Sequence, residues 1–147
     1  SAAPFTPPPA QYRLALSEIR RSPASIAARY KTLSYMDNLQ ARRQARGAGA
    51  DMALLLDTRG NLSGGDCANL FWTRGEDVFT PDLRCGVLAG TVRAEILDSI
   101  PVEAGSYVQA DAVFVTNAAI GAVPVVSLDG VPLGSGELPP RIAALFA

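Results

Sequence analysis

Apolar positions along this chain fall into short runs separated by charged, glycine-rich or proline-rich punctuation, and most of the runs have the length and spacing of strands. Residues 12–17 alternate weakly and predict a strand that Arg20, Arg21, Ser22 and Pro23 break. Residues 52–56 are continuously apolar between Asp51 and Asp57, the pattern of a strand buried on both faces. A turn over 57–61 leads into a return strand over 62–65. A strand over 68–73 follows, and 74–77 turn it into 78–80, which Pro81 ends. Neighbouring strands joined by such tight turns predict an antiparallel meander. Residues 112–115 predict a further buried strand ending at Thr116-Asn117-Ala118. Residues 123–128 predict another, in which Pro124 points to an edge or a bulge, before Asp129-Gly130 turns the chain to Val131.

Helical spacing is confined to a few stretches. Tyr35, Met36, Leu39 and Arg43 predict a helix over about 35–46, packed against the meander. Ser34 and Asp37 have the shape of a capping box, Arg42, Arg43 and Arg46 lie toward the end, and Gly47 is a fitting stop. A glycine loop at 85–90 runs into an apparent helix over 91–99, whose start presents free N–H groups to an anion; such a loop is also the ordinary way a strand closes onto a helix. A short turn or helical piece over 25–28, a loop or one short helix over 101–110 and an amphipathic helix over 141–146 complete the reading. Pro4, Pro7, Pro8 and Pro9 give the start an extended, linker-like character, and the first residue is not methionine. Residues 1–11 therefore read as a linker and 12–147 as one domain, in a piece of a longer protein or a processed one. No internal repeat is found.

Composition narrows the function. At 147 residues and 48% hydrophobic the chain suits one compact core. A net charge of −1 without a basic block argues against nucleic acid. No apolar run is long enough for a bilayer and no secretory leader pattern is found, so the expectation is no membrane and a cytoplasmic setting. Cys67 and Cys85 have neither zinc-like nor disulfide-framework spacing and read as free buried thiols. The absence of histidine removes histidine-based triads and histidine metal sites, and no metal is expected.

Lys31 is the only lysine; every other basic side chain is arginine. Arginine is effectively never deprotonated, whereas a lysine can lose its proton in a desolvated cleft and attack a carbonyl to form a Schiff base. Retention of a single lysine for chemistry and its survival by chance under arginine-rich coding bias fit the composition equally well. Its position just before a helix lets the side chain point into a cleft.

Lys31-Thr32-Leu33-Ser34-Tyr35-Met36-Asp37-Asn38, Asn69-Leu70-Phe71-Trp72 ahead of Thr80-Pro81, Gly86-Val87-Leu88-Ala89-Gly90-Thr91-Val92-Arg93, Phe114-Val115-Thr116-Asn117 and Val123-Pro124-Val125 together resemble the class IV aminotransferase family. These are the fold-type IV pyridoxal 5'-phosphate enzymes, among them branched-chain and D-amino-acid aminotransferases and 4-amino-4-deoxychorismate lyase. The resemblance runs from about residue 13 to 146 and corresponds to the family's C-terminal, cofactor-binding domain. It implies an α/β fold with a mixed, largely antiparallel pseudo-barrel sheet and packed helices. It also implies that Lys31 holds the cofactor as an internal aldimine and then moves the substrate α proton. Tyr35 falls near the tyrosine that hydrogen-bonds the ring oxygen, Leu88 on the apolar platform under the ring, Gly90, Thr91 and Val92 on the phosphate loop, and Asn117 with Ala118 on a second phosphate-side turn.

Two positions depart from the family pattern. Gly64 stands where the family places a glutamate against the pyridine nitrogen, the carboxylate that keeps the ring an electron sink. Asp66 or a water could stand in, or activity has been lost. Gly-Thr-Val replaces the common Gly-Ile-Thr at the phosphate loop, which moves the hydroxyl by one position. The resemblance thus implies transamination of an amino substrate, a small-molecule amino acid. Lyase chemistry on an amino-chorismate-like substrate with release of pyruvate is the first alternative, and a non-catalytic homologue the second. It also implies a homodimer, or association with a missing N-terminal half through an apolar exposed face.

Overall fold

The computed structural model describes residues 7–105 and 109–147. Nine strands and four helices occur among them: β1 (Tyr12–Arg21), α1 (Ile26–Arg29), α2 (Met36–Gly47), β2 (Met52–Asp57), β3 (Leu62–Gly65), β4 (Asn69–Arg74), β5 (Asp77–Thr80), α3 (Thr91–Ser99), β6 (Glu103–Ala104), β7 (Ala112–Asn117), β8 (Gly121–Leu128), β9 (Val131–Pro132) and α4 (Pro140–Leu145). Residues 7–10 of the expected linker are exposed and outside any regular element, while 1–6 lie outside the described residues. So do residues 106–108 of the expected loop; the part described before them contributes β6.

The strands form one mixed sheet in the order β3-β2-β1-β8-β7-β4-β5-β6, with β9 paired to β8. The sheet curls, so that the Gly65 amide at the end of β3 donates to the Ala68 carbonyl just before β4. Side-chain alternation assigns the faces. Leu14, Met52, Leu54, Leu70, Trp72, Val113, Val115 and Val125 fill the concave interior. On the convex side, Ala41 and Ala45 of α2 pack against Ala15, Ala53 and Leu55, small residues that let the helix approach β1 and β2 closely. Toward the other end of the sheet, Phe71 and Phe114 stack with centroids 5.1 Å apart and pack with Ile96 of α3 and Ile142 of α4.

Several expectations change. The predicted meander is two separate hairpins, β2–β3 and β4–β5, because β4 pairs with β7 instead of β3. The strand predicted over 12–17 continues to Arg21, since parallel pairing with β2 resumes at Arg20 after a register shift. Backbone pairing tolerates these arginines because Arg21 finds side-chain acceptors of its own, described below. Pro124 is in an interior strand: β8 lies between β1 and β7, but β1 joins only from Val125 onward, so the missing N–H falls before that ladder begins. Ser34 does not cap α2. Tyr35 is the N-cap, without a side-chain capping bond, and Asp37 then stands one position short of the place a capping box needs. The helix ends at Gly47, as expected, with Ala48 as its C-cap and Gly49 following in the left-handed conformation, φ 78°. Both cysteines are free, as expected, but half-buried rather than buried.

The hairpin turn after β2 is organised by Asp57. Its wholly buried carboxylate accepts from the Arg59 and Asn61 amides, from Asn61 Nδ2 and from the Arg59 guanidinium. Burial pushes this carboxyl up, but the hydrogen bonds outweigh it and hold the group below its ordinary value. A carboxylate with a lowered folded-state pKa contributes stability above about pH 4, and the contribution disappears as pH falls through the folded value. Melting temperature is therefore expected to fall below about pH 4, less steeply in Asp57→Asn; identical acid slopes in the two proteins would contradict this.

Candidate active site

The candidate residues come from the loop before α2, the β3–β4 turn, the loop before α3 and the β7–β8 turn. Lys31 is exposed in the loop between α1 and α2. Tyr35 ends that loop, and its hydroxyl donates to the Asp66 carbonyl at 2.7 Å, which ties the start of α2 to the β3–β4 turn. Burial raises the Tyr35 pKa, so the phenol stays protonated with its proton committed to that carbonyl.

Asp66 fixes the turn from the other side. Its buried carboxylate is 2.7 Å from Arg42 Nη2 and also accepts the Ala53 amide at 2.7 Å. Asp66 is therefore directed toward α2 and β2, and the expectation that it could replace the missing ring-nitrogen carboxylate fails on its geometry. Beside it, burial first and the Asp66 charge second push the Cys67 thiol up to about 11, so it is neutral near pH 7.

Gly64 is buried and pairs with Leu55 of β2. Arg21 lies next to it: Nη1 donates to Ser63 Oγ at 3.0 Å, and Nη2 donates to the Gly65 carbonyl at 3.1 Å and to Asn38 Oδ1 at 3.2 Å. A Cβ on Gly86 would lie 3.2 Å from Arg21 Cγ, so the arginine stem also packs under the loop that leads to α3. One side chain thus joins β1, α2, β3 and that loop. Sequence reasoning treated Arg21 only as a strand breaker, and no spacing rule marks an arginine whose partners lie 17, 42 and 44 residues away.

Asn69 shares the convex face with Phe71 through strand alternation. Its Nδ2 donates to the Leu88 carbonyl at 2.8 Å. Leu88 is 37% exposed, consistent with an apolar surface held open to a ligand. Gly90 is the N-cap of α3 and has no capping side chain; the first intrahelical bond runs from the Ala94 amide to its carbonyl, so the Thr91 and Val92 amides have no partner within the helix. A Cβ at Gly90 would clash with Asn69 Oδ1. Gly90→Ala is expected to displace Asn69 from Leu88 and to lower stability by about 1–2 kcal/mol in thermal unfolding; an unchanged melt would contradict this close approach.

Asn117 is used within its own turn. Oδ1 accepts the Ala119 and Ile120 amides at 2.8 and 2.9 Å, and Nδ2 donates to the Cys67 carbonyl at 3.0 Å. The side chain links the β7–β8 turn to the β3–β4 turn, leaving Ala118 exposed beside it. Arg21 thus lies beside Gly64, Asn69 holds the Leu88 carbonyl and packs on Gly90, and Asn117 ties the turn that carries Ala118 to Cys67, while Lys31 stays exposed on the loop that ends in Tyr35. Among the described residues, no group of three His, Cys, Asp or Glu is arranged to hold a metal, and no helix is long and apolar enough to cross a membrane.

Comparison with known proteins follows the same outline. The family model described as amino-transferase class IV matches residues 1–128. Aminodeoxychorismate lyase of Bacillus subtilis is 26% identical over 140 residues, covering 87% of this chain and 48% of the lyase. The branched-chain-amino-acid aminotransferase of Escherichia coli K12 is 30% identical over 118 residues, 73% of this chain and 38% of the enzyme. The chain thus spans about half the length of these relatives, or less. Among solved structures, the E. coli branched-chain amino acid aminotransferase superposes with a TM-score of 0.85 at 27% identity, over 95% of this chain and 51% of that one. The T.th. branched-chain amino acid aminotransferase solved with pyridoxamine 5'-phosphate gives 0.82 at 29% identity, over 92% of this chain and 48% of that one. Matched by the family model along most of its length and folded like solved members throughout its sheet, the chain belongs to the amino-transferase class IV family.

Proposed function

We propose that this chain is the cofactor-binding part of a pyridoxal 5'-phosphate enzyme that transaminates an amino acid, with Lys31 as its reactive amine. The observation that carries this reading is the joining of the Lys31 loop to the glycine-capped start of α3 through Tyr35, the β3–β4 turn and Asn69. The donor set fits the cofactor. The open Thr91 and Val92 amides and the α3 dipole suit a phosphate, and the exposed part of Leu88 offers an apolar surface to a ring. Bound there, pyridoxal phosphate supplies the electron-withdrawing ring that makes the α proton of an amino substrate labile. Lys31 Nζ would hold the cofactor's aldehyde and would serve as the base that takes up and gives back the substrate's α proton. Tyr35, its proton spent on Asp66, has only lone pairs left to offer and serves mainly to fix the loop.

Lyase chemistry is the second reading, favoured by the similarity to the B. subtilis lyase. A non-catalytic role is favoured by Gly64. One set of incubations with added cofactor separates the three. A keto acid from a branched-chain amino acid supports transamination, pyruvate from an amino-chorismate-like substrate supports the lyase, and neither product supports the non-catalytic role.

Ile26, Tyr30, Leu33, Met36 and Leu39 are large exposed apolar side chains on either side of Lys31. They form the surface on which a second copy, or the half found in the longer relatives, would complete the site. Sedimentation is expected to show concentration-dependent self-association that Leu33→Glu with Met36→Glu abolishes; a monomer at all concentrations would contradict it.

A further inference from the structure

Gly64 removes a carboxylate from a place where the structure keeps a cation. Arg21 Nη1 lies 3.9 Å from the position a Cβ on Gly64 would occupy. Its three hydrogen-bond partners, Ser63 Oγ, Asn38 Oδ1 and the Gly65 carbonyl, are all neutral. A guanidinium has five N–H donors, and two of them find no acceptor among the described residues. Nearby groups do not neutralise it. Asp66 is bound to Arg42 and the Ala53 amide, Asp57 to Arg59 and Asn61, and Tyr35 and Cys67 are held neutral by burial. No ion pair involves Arg21 among the described residues.

We propose that Arg21 is the group this chain presents to the cofactor's pyridine nitrogen, donating a hydrogen bond where a carboxylate would accept one. The proposal rests on the functional reading above and specifies its chemistry. A guanidinium stays charged at every relevant pH and can only donate, so the ring nitrogen beside it is held unprotonated, as an acceptor. Burial lowers the Arg21 pKa, but a guanidinium is effectively never deprotonated in a protein, so the cation persists. A pyridinium in the same place would put two cations in contact in a poorly solvated pocket. With its nitrogen unprotonated the ring withdraws electrons less strongly. More of the work of removing the α proton would then fall to Lys31.

The test is nitrogen NMR of the chain loaded with pyridoxal phosphate labelled at the ring nitrogen. In the wild type the resonance is expected at the unprotonated position and to stay there as pH is lowered from about 8 to about 5. In Arg21→Gln, where no cation opposes protonation, it is expected to move to the pyridinium position over the same range, while Arg21→Lys retains the wild-type behaviour. A pyridinium signal in the wild type at the upper end of the range overturns the proposal, and so does parallel titration of wild type and Arg21→Gln. Should Arg21→Gln fail to fold, the wild-type titration alone decides. Borohydride trapping on the same sample separates the two claims: labelled Lys31 with a protonated ring nitrogen sinks only this proposal, and unlabelled Lys31 sinks it together with the functional reading.

Discussion

Lys31→Ala is expected to abolish covalent capture of pyridoxal phosphate by this chain and to reduce turnover of the intact enzyme by at least about 10³-fold, the upper range for loss of a positioned acid–base group. The argument is chemical before it is structural. The chain has no other lysine and no histidine, so no second side chain can form the imine or move the proton at the same place. Folding should be unaffected, because Lys31 is exposed and lies in a loop outside every buried cluster. Lys31→Arg should fail equally: it preserves the charge, but a guanidinium neither gives up its proton nor attacks an aldehyde. Turnover that survives either substitution, measured as keto acid or pyruvate formation, would remove Lys31 from the mechanism.

Asp66→Ala is expected to cost about 3 kcal/mol, which for a domain of this size lowers the melting temperature by about 6–12 °C. Asp66 is buried and its two oxygens serve different elements, one bound to Arg42 of α2 and the other to the Ala53 amide of β2. Truncation leaves both without a partner. Arg42 is 28% exposed and recovers part of its solvation, which places the loss at the lower end of the range for a broken buried pair. The same change should loosen the Tyr35 anchor, because the accepting carbonyl belongs to the turn that the carboxylate fixes. Cofactor capture should therefore weaken even at temperatures where Asp66→Ala is folded. A melt within a degree or so of wild type would show that the ion pair is not structural.

Much of this architecture was legible in the sequence because its signals are local. The apolar run at 52–56, the Asn69-Leu70-Phe71-Trp72 strand and the glycine loop before Thr91 each declare an element through neighbouring residues, and each is found. Strand order was not legible. Tight turns suggested a meander, but β4 pairs with β7 and not with β3, a pairing decided by which faces must be buried together. The site divides in the same way. Lys31, Leu88 and Gly90 stand out through residue type or motif, whereas Arg21 looks like an interruption until its three acceptors are seen to come from distant segments. Asp66, a natural substitute by proximity to Gly64, is excluded only by the direction its carboxylate takes.

The most direct measurement of the central claim is borohydride reduction of the chain after incubation with pyridoxal phosphate, followed by peptide mass analysis. The chain contains one lysine, so the only competing amine is the N-terminus. The account predicts a stoichiometric adduct on the peptide that carries Lys31. An adduct confined to the N-terminus would contradict it.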